Sequence, residues 1–369
     1  MLFFALAACS PSGPPTWDVD VHDDLVTEAF EGIFAGSRDD AGGEMLGARQ
    51  AAGTELFVVL GAAGAGDASG WRVTSLNEEI CEPELGVARD DEVPVTLHFG
   101  QAGSTELYVI DSFDQVLEIQ PIEVRDPAGA EAWAYEAVAL PAGANASPLD
   151  TLDVLPGSAL TTVVAWTDVE GVSLAGVGLL TASTDDVALD VAPSTALAGT
   201  PLEGFDVFVS ADAEIGAHPV DLLASDATVR TLDVVVHDPT EVTALEMVEA
   251  LEVEEVGVSG TLRAQASAGD VDLYGVSTEW FVDGASSVTG PWVDLLADDE
   301  GRSHEITACV GEVCASTTVA ATIWGAGSSL AQEDYDCGCT HGGMAGWLAV
   351  VLGGPLVMAR RRAAARIRW

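Results

Sequence analysis

Residues 93–99 read Val-Pro-Val-Thr-Leu-His-Phe, and their alternation decides the fold class. Every second side chain is apolar: Val93, Val95, Leu97 and Phe99. The same alternation recurs over residues 205–209 and 232–236. One apolar and one polar face is the pattern of an antiparallel sheet that packs on one side. Short runs of this kind, separated by Gly, Pro, Asp and Ser, predict β-sandwiches rather than a parallel α/β sheet.

A weak internal repeat divides the chain. Residues 122–127 read Ile-Glu-Val-Arg-Asp-Pro, and residues 234–239, which start 112 positions later, read Val-Val-Val-His-Asp-Pro. Pro cannot continue a central strand, so each motif predicts the end of one module. The predicted organisation is a linker, three modules and a second linker: residues 10–20, 21–126, 127–238, 239–324 and 325–336. The mixed apolar and acidic segment 245–258 fits either a helix or a strand.

The third module carries the clearest local signature. Residues 276–284 read Val-Ser-Thr-Glu-Trp-Phe-Val-Asp-Gly. They resemble strand C of bacterial Ig-like and PKD-like domains, in which a buried Trp precedes an Asp-Gly turn. Residues 304–319 resemble the closing hairpin of those domains. The resemblance rests on pattern alone in the first two modules, and it implies an all-β chain of tandem immunoglobulin-like sandwiches.

The chain opens with an apolar run that stops at small residues just before Cys9. Leu6-Ala7-Ala8-Cys9 resembles the lipobox of bacterial lipoproteins, in which the cysteine thiol receives a diacylglyceryl group. The resemblance implies a signal peptide over residues 1–9 and lipidation at Cys9. The match departs from the pattern, because a positive n-region is missing and the apolar part is short; a truncated signal, with the start codon further upstream, is the expectation that accounts for both features. A chance cysteine is the alternative.

The other end combines three parts in order. Cys337-Gly338-Cys339 is followed by an uncharged, Gly- and Ala-rich run over residues 342–359 and then by an Arg cluster. As a helix the run is about 27 Å long, barely enough to cross the hydrocarbon layer. Residues 337–369 resemble the MYXO-CTERM sorting tail. This implies a short transmembrane helix, processing or attachment at Cys337 or Cys339, and display at the outer membrane or cell surface. An ordinary single-pass membrane helix is the alternative.

A two-residue turn predicts a disulfide in the third module. A turn at residues 311–312 pairs Val310 with Val313. Cys309 and Cys314 then oppose each other at a non-hydrogen-bonded position, where Cα atoms approach closest. An extracytoplasmic location would supply the oxidising conditions. Two free thiols are the alternative.

Recognisable catalytic motifs are missing from the sequence. The six His residues stand in no nucleophile or metal motif, and no Gly-rich phosphate loop precedes a helix. Residues 66–70, Gly-Asp-Ala-Ser-Gly, resemble a serine-protease loop only superficially, because Ala68 separates the Asp from the Ser. Cys81 has no obvious mate and is predicted to be a buried apolar residue. We therefore predict a protein that is not an enzyme; a secreted hydrolase is the less favoured class.

The charge composition limits the classes of molecule that can bind the chain. The chain has 60 acidic residues, 13 Arg and no Lys, and five Arg lie in the last ten residues. Such a surface repels phosphates, so nucleic acid is excluded as a partner. Carboxylates at Asp18, Asp20 and Asp23 are weak Ca²⁺ candidates. They match no EF-hand, so a solvated acidic loop is preferred and no cofactor is predicted.

The predicted function is structural. We expect three modules that project from the cell surface as a stalk or adhesion unit, held to the membrane by a lipid, by the C-terminal helix or by both. The partner is then a surface protein or a polysaccharide. The alternative is a carbohydrate-binding module that uses exposed aromatic side chains: Trp133, Tyr135, Trp166 or Trp292. An exposed aromatic row would favour carbohydrate binding, whereas buried aromatics would favour the stalk.

Overall fold

The computed structural model describes most of the chain between residues 15 and 330. The described residues are 15–18, 45–62, 68, 70–88, 92–139, 147–195, 197–198, 200–224, 226–250, 260–297, 302–327 and 330. Almost every element within them is a β-strand, so the predicted all-β fold is confirmed. The chain divides into two compact units, residues 1–333 and 334–369, and the second lies wholly outside the described residues.

The first sandwich packs two four-stranded sheets around one core. Its strands are β1 (Pro15–Asp18), β2 (Gln50–Ala51), β3 (Glu55–Ala62), β4 (Arg72–Ser75), β5 (Cys81–Leu85), β6 (Glu92–Phe99), β7 (Gly103–Ile110) and β8 (Val116–Arg125), with a 3-10 helix at Met45–Gly47. The sheet orders are β1-β3-β6-β5 and β2-β8-β7-β4. The four alternating apolar residues of β6 are all buried, so the period of two places the core where the sequence predicts it.

Among the described residues, the largest apolar core belongs to the second sandwich. Its elements are β9 (Gly129–Ala134), α1 (Tyr135–Ala139), β10 (Thr151–Val154), β11 (Ala159–Thr167), β12 (Ser173–Leu174), β13 (Leu180–Ser183), β14 (Leu189–Pro193), β15 (Glu203–Val209), β16 (Gly216–Ala224) and β17 (Ala227–Val236). One sheet has the order β12-β11-β15-β14, with β9 also paired to β11, and the other has the order β10-β17-β16-β13. Trp166 and Phe205 are the largest side chains in the core between them.

The third sandwich follows a 3-10 turn at Pro239–Glu241 that Asp238 caps through the backbone N–H of Thr240. Its strands are β18 (Ala244–Ala250), β19 (Gly260–Ala268), β20 (Val271–Leu273), β21 (Glu279–Val282), β22 (Ala285–Thr289), β23 (Trp292–Ala297), β24 (His304–Val310), β25 (Val313–Val319) and β26 (Ala321–Ala326). The sheet orders are β18-β19-β23-β26, with β20 paired to β19, and β22-β21-β24-β25.

Trp280 anchors the third core. It is fully buried, and its indole N–H donates to the carbonyl of Gly290 at 2.7 Å. The turn after its strand has φ of 48° at Asp283 and 78° at Gly284. Two successive positive φ values match a two-residue type I′ hairpin turn, which explains the Asp-Gly pair. The buried Trp and the turn therefore occur where the sequence predicts them.

The ambiguous segment is resolved in its first half. Residues 244–250 form a strand and pair along their whole length with β19, because cross-strand partners outweigh the weak helical pattern. Residues 251–259 lie outside the described residues.

Both predicted linkers are partly wrong. Residues 15–18, expected within the linker 10–20, form the edge strand β1 and pair antiparallel with β3. Pro15 is tolerated because it is the first residue of an edge strand. At the other end, β26 runs to Ala326, two residues into the linker 325–336, because it pairs with β23 as far as Val293. The remaining module limits stay predictions.

Several sequence predictions concern residues outside the described ranges. These are the signal peptide 1–9 with Cys9, the carboxylates Asp20 and Asp23, and the tail 337–369 with Cys337 and Cys339. Among the residues that the structure does describe, no helix is both long and apolar enough to cross a bilayer.

Candidate functional site: the junctions between the sandwiches

The first junction is the contact of residues 49–55 with residues 168–178, and strand pairing continues across it. Ala51 N–H donates to the carbonyl of Ala175 at 2.9 Å, and Ala175 N–H donates to the carbonyl of Arg49 at 2.8 Å. Glu55 and Val177 exchange two further backbone hydrogen bonds, both 2.9 Å long. Four main-chain hydrogen bonds therefore join the first sandwich to the second, and a change of angle between them would have to break several.

A glycine permits this close approach. Gly176 lies between the two paired residues of the second sandwich and has a φ of 117°. A Cβ atom there would collide with Oγ1 of Thr54. Thr54 is itself buried and donates to the carbonyl of Ala51 at 2.7 Å, so it has no room to move aside. The left-handed backbone and the contact together require glycine.

An ion pair between the partly exposed Arg49 and the buried Asp168 spans the same junction. The Arg49 guanidinium donates to Oδ2 of Asp168 at 2.7 Å. Oδ1 of Asp168 accepts the backbone N–H groups of Glu170 at 2.8 Å and Val172 at 3.0 Å. Burial opposes the charged form, but these donors outweigh it and lower the pKa of Asp168. The carboxylate is therefore ionised and satisfied at neutral pH.

A second carboxylate positions the loop that meets the first sandwich. Oε1 of Glu203 accepts the backbone N–H groups of Gly178 at 2.9 Å and Leu180 at 2.6 Å, and Oε2 accepts the indole N–H of Trp166 at 3.0 Å. Burial raises the pKa of Glu203 above its usual range, although these hydrogen bonds oppose that shift. Glu203 thus fixes the end of the loop whose residues 175 and 177 pair with the first sandwich.

A cleft of about 350 Å³ opens beside this junction. The second sandwich lines it with Val177 and Gly178, and the first sandwich supplies the rest of the lining, including three acidic residues: Gly53, Thr54, Glu55, Glu78, Glu82, His98, Phe99 and Gly100. His98 lies 3.3 Å from a carboxylate oxygen of Glu55 on one side and 3.3 Å from one of Glu84 on the other. The acidic lining disfavours anionic ligands.

The second junction is the contact of residues 136 and 153–155 with residues 242 and 263–276. Tyr274 N–H donates to the carbonyl of Asp153 at 2.8 Å. The buried Glu136 accepts the backbone N–H of Gly275 on its Oε1 at 2.9 Å. Its own carbonyl accepts the Arg263 guanidinium at 2.9 Å. Main-chain and side-chain hydrogen bonds thus join the second sandwich to the third.

Glycine is required here too. Gly275 has a φ of 64°. A Cβ atom there would lie 3.1 Å from the carbonyl oxygen of Ala159 and 3.1 Å from the Leu160 side chain. The position therefore combines a left-handed backbone with close approach to β11, and both favour glycine.

A small apolar core fills the second junction. Leu155 from the second sandwich packs with four buried residues of the third: Val242, Ala266, Leu273 and Val276. Val310 and Val313, at the tip of the β24–β25 hairpin, pack against this cluster. The hairpin tip is therefore part of the junction.

The predicted disulfide lies at the base of that tip. The register places Val310 opposite Val313 and Cys309 opposite Cys314. The two cysteines form a disulfide, with their Cα atoms 4.2 Å apart. The bridge thus clamps the two strands one residue behind the valines that enter the junction core.

Buried carboxylates concentrate at the junctions. In the part of the chain that the structure describes, the carboxylate residues that are buried are Glu136, Asp153 and Asp168. All three lie at a junction. A buried carboxylate is tolerated only where fixed donors replace its water, and Asp153 has such donors in Thr151 Oγ1 at 2.6 Å and His237 Nε2 at 2.7 Å. The junctions therefore depend on a specific arrangement of donors.

The remaining sequence candidates give no second site. The four aromatic side chains considered for carbohydrate are between 0% and 5% exposed: Trp133, Tyr135, Trp166 and Trp292. They form core contacts, so the carbohydrate interpretation loses the residues on which it rested. Cys81 is buried, and burial raises the pKa of its thiol to about 12, which keeps it unreactive.

Of the three calcium candidates, the structure describes only Asp18. Asp18 is the last residue of β1, and the two other carboxylates lie outside the described residues. Within the described ranges, no three His, Cys, Asp or Glu residues are close enough to share a metal ion.

We expect removal of the disulfide to loosen the second junction. A Cys309→Ser, Cys314→Ser double variant should lower the free energy of unfolding of the third sandwich by about 2 kcal/mol, because it frees a short loop in the unfolded chain. Urea unfolding followed by hydrogen exchange of residues 260–326 measures this. A reductant should lower the free energy of unfolding of the native protein by the same amount and leave that of the double variant unchanged. If a reductant left the free energy of unfolding of the native protein unchanged, the stabilising role of the disulfide between Cys309 and Cys314 would be contradicted.

We expect the second sandwich to be more stable at pH 6 than at pH 8, because His237 and Asp153 pair at its end. Burial opposes the charged form of His237, but hydrogen bonds to Asp153 and Glu241 outweigh it and raise its pKa above the ordinary value. The stabilisation is then complete below the ordinary pKa of about 6.5 and is lost as the pH rises through the higher native value. Urea unfolding at several pH values measures it. His237→Gln should flatten this part of the profile, and an unaltered profile would contradict the prediction.

Comparison with known proteins gives only distant similarity. No protein-family model matches the chain, and no curated protein matches it. Domains 5–6 of the S-layer protein SbsC share 16% identity, cover 53% of this chain and 95% of their own length, and have a TM-score of 0.24. Invasin, a bacterial integrin-binding protein, shares 11% identity over 71% of this chain and 54% of its own, with a TM-score of 0.22. The chain spans 48% of SbsC domains 4–9 and 34% of SbsC residues 31–844. Scores this low carry no conclusion about function.

Proposed function

We propose that this chain is a non-enzymatic cell-surface protein, a stalk or adhesion module displayed by membrane anchoring. The observation that carries the proposal is the construction of the two junctions. Modules that need no fixed orientation can be connected by flexible linkers, whose backbone groups form hydrogen bonds with water rather than with the neighbouring module. Here main-chain hydrogen bonds cross the first junction at residues 51, 55, 175 and 177 and the second at residue 274. Such contacts suit a protein that holds successive modules in one arrangement.

The tandem order is part of the proposal. We propose that the three modules are Ig-like sandwiches and that the first begins by Pro15. Three pairs of sheets and their cores support the number of modules. The burial of Asp168 and Glu136 between modules supports a fixed orientation, because each carboxylate would lose a donor from the neighbouring sandwich if the modules turned apart.

The location rests on the ends of the chain. We propose that Cys9 is lipidated, that residues 337–369 act as a sorting tail, and that the region between them is exported to the outer membrane or cell surface. The disulfide between Cys309 and Cys314 supports an oxidising location outside the cytoplasm. The net charge of −47 keeps such a region soluble and disfavours nucleic acid and anionic lipid surfaces as partners.

Intact mass spectrometry of the protein from its native membranes tests the proposal. We expect a diacylglyceryl adduct at Cys9, loss of the residues that follow Cys337 or Cys339, and loss of two hydrogens at the disulfide. A Cys9→Ala variant is the matched control and should lack only the lipid. Protease added to intact cells should also remove residues 15–326. Recovery of the unmodified chain from the cytosol, with both ends intact, would contradict the proposal.

A further inference from the structure

The second junction depends on β10 (Thr151–Val154), an edge strand of four residues. β10 lies at the end of the sheet order β10-β17-β16-β13 and pairs parallel with β17. On its other side, Tyr274 of the third sandwich forms an isolated bridge with Val154 and donates its N–H to the carbonyl of Asp153 at 2.8 Å. Leu155, the residue after β10, enters the apolar core of the junction. A contact that holds β10 in place therefore also holds the third sandwich.

His237 holds β10 from the side of the second sandwich. It follows the last residue of β17, and its backbone N–H donates to the carbonyl of Val154 at 2.9 Å. Its Nε2 lies 2.7 Å from Oδ1 of Asp153, and its Nδ1 lies 3.2 Å from Oε2 of Glu241. Both ring nitrogens thus face carboxylate oxygens.

Glu241 connects the same imidazole to the third sandwich. It is the last residue of the 3-10 turn that leads out of the second sandwich. The next residue, Val242, is buried and packs with Leu155 in the junction core. The His237 ring therefore bridges the two chain segments whose apolar residues meet in that core.

Both ring contacts require a protonated imidazole. A carboxylate oxygen accepts hydrogen bonds, and a neutral imidazole has one N–H to donate, so the neutral ring can serve only one of the two carboxylates. The side chains are 17% exposed at His237 and 11% exposed at Asp153, so water replaces a lost donor poorly. Burial favours the neutral form, but the hydrogen bonds to Asp153 and Glu241 outweigh burial and raise the pKa of His237 above its ordinary value.

The first junction uses a different kind of cation. There the Arg49 guanidinium donates to Asp168 at 2.7 Å. A guanidinium keeps its proton throughout the physiological range, whereas an imidazole changes its charge within that range. The ion pair at the first junction is therefore permanent, and the one at the second junction depends on pH.

We propose that the second junction is pH-sensitive, so that it holds the third sandwich most firmly while His237 is protonated and loosens when the proton is lost. A neutral ring keeps its bond to one carboxylate and releases the other, which gives β10 or the 3-10 turn more freedom. Because protonation stabilises the native contact, the full effect is present below the ordinary pKa of about 6.5 and is lost as the pH rises through the higher native value. The first junction does not respond in this range.

Further charged and titratable groups come from both sandwiches and from the turn between them: Glu136, Asp238, Arg263, Asp272 and Tyr274. Asp238 accepts the backbone N–H and the hydroxyl of Thr240, and these bonds lower its pKa. Burial and the charge of Asp272 raise the pKa of Tyr274 to about 12. These two shifts lead away from neutral pH, whereas an imidazole titrates near it.

Native-state hydrogen exchange of the full chain in mild detergent tests the proposal. The amides of Tyr274 and Gly275 report on the second junction, and those of Ala51 and Val177 report on the first. Between pH 6 and pH 9 we expect protection factors to fall about tenfold at the second junction and to stay constant at the first. An equal change at both junctions, or no change at the second, would overturn the proposal.

Two exposed carboxylates give matched variants that should keep the fold. The side chain of Glu241 is 53% exposed, and that of Glu170, which accepts from Arg49 at the first junction, is 69% exposed. Glu241→Gln removes a negative charge beside His237, so the change in Tyr274 protection should move to lower pH. Glu170→Gln should leave its midpoint where it is. An unmoved midpoint in Glu241→Gln would overturn the proposal.

His218 separates an effect at the junction from a general effect of a buried histidine. Its Nδ1 lies 2.7 Å from Oδ2 of Asp186, and its Nε2 lies 2.8 Å from the carbonyl oxygen of Glu214. Both partners lie in loops of the second sandwich, between β13 and β14 and between β15 and β16. His218→Gln should therefore leave the pH profile at Tyr274 intact, and His237→Gln should flatten it. A flat profile in the first variant, or an intact one in the second, would overturn the proposal.

Discussion

A carboxylate that is buried away from water needs hydrogen-bond donors in fixed positions, and this constraint determines how the two junctions between the sandwiches are built. Asp168 meets it with Arg49 and two backbone N–H groups, and Glu136 meets it with the N–H of Gly275. Each set of donors includes a group from the neighbouring sandwich. Each carboxylate therefore has its full set of donors in one orientation of the two sandwiches and loses a donor in others, which makes the junction specific for that orientation.

The other contacts of each junction also depend on this fixed orientation of the sandwiches. Backbone hydrogen bonds can cross only where the chains approach closely, and Gly176 and Gly275 supply the space. Leu155 and the hairpin residues Val310 and Val313 then exclude water from the second junction. The disulfide behind those valines keeps the hairpin in register, so a covalent bond in the third sandwich contributes to its contact with the second.

The sequence was most informative where a local rule acts alone. Alternation identified the buried residues of β6, the Asp-Gly pair identified a hairpin turn, and the two-residue turn set the register of Cys309 and Cys314. These features depend on neighbours a few residues away, or on one face of one strand.

The joints could not be predicted in the same way. Arg49 and Asp168 lie 119 residues apart, and nothing in either neighbourhood distinguishes that aspartate from the many solvated acids of the chain. Gly176 and Gly275 resemble ordinary turn glycines, since the atoms that exclude a side chain belong to distant strands. The edge strand β1 was missed because four residues in a Pro-rich stretch show little alternation, and their pairing with β3 becomes visible only in three dimensions. A sequence signal for the Arg49–Asp168 contact is the scarcity of Arg, because each Arg outside the C-terminal cluster is then a candidate partner for a buried acidic residue.

Native-state hydrogen exchange tests the central claim most directly. The relevant amides are those that donate across the junctions, at Ala51, Glu55, Ala175, Val177, Tyr274 and Gly275. If the sandwiches are held in one arrangement, these amides will be protected to the same degree as amides in the middle of β6 and β15. Exchange at the rate of exposed turns, while the strand amides stay protected, would mean that the sandwiches move independently and would contradict the account.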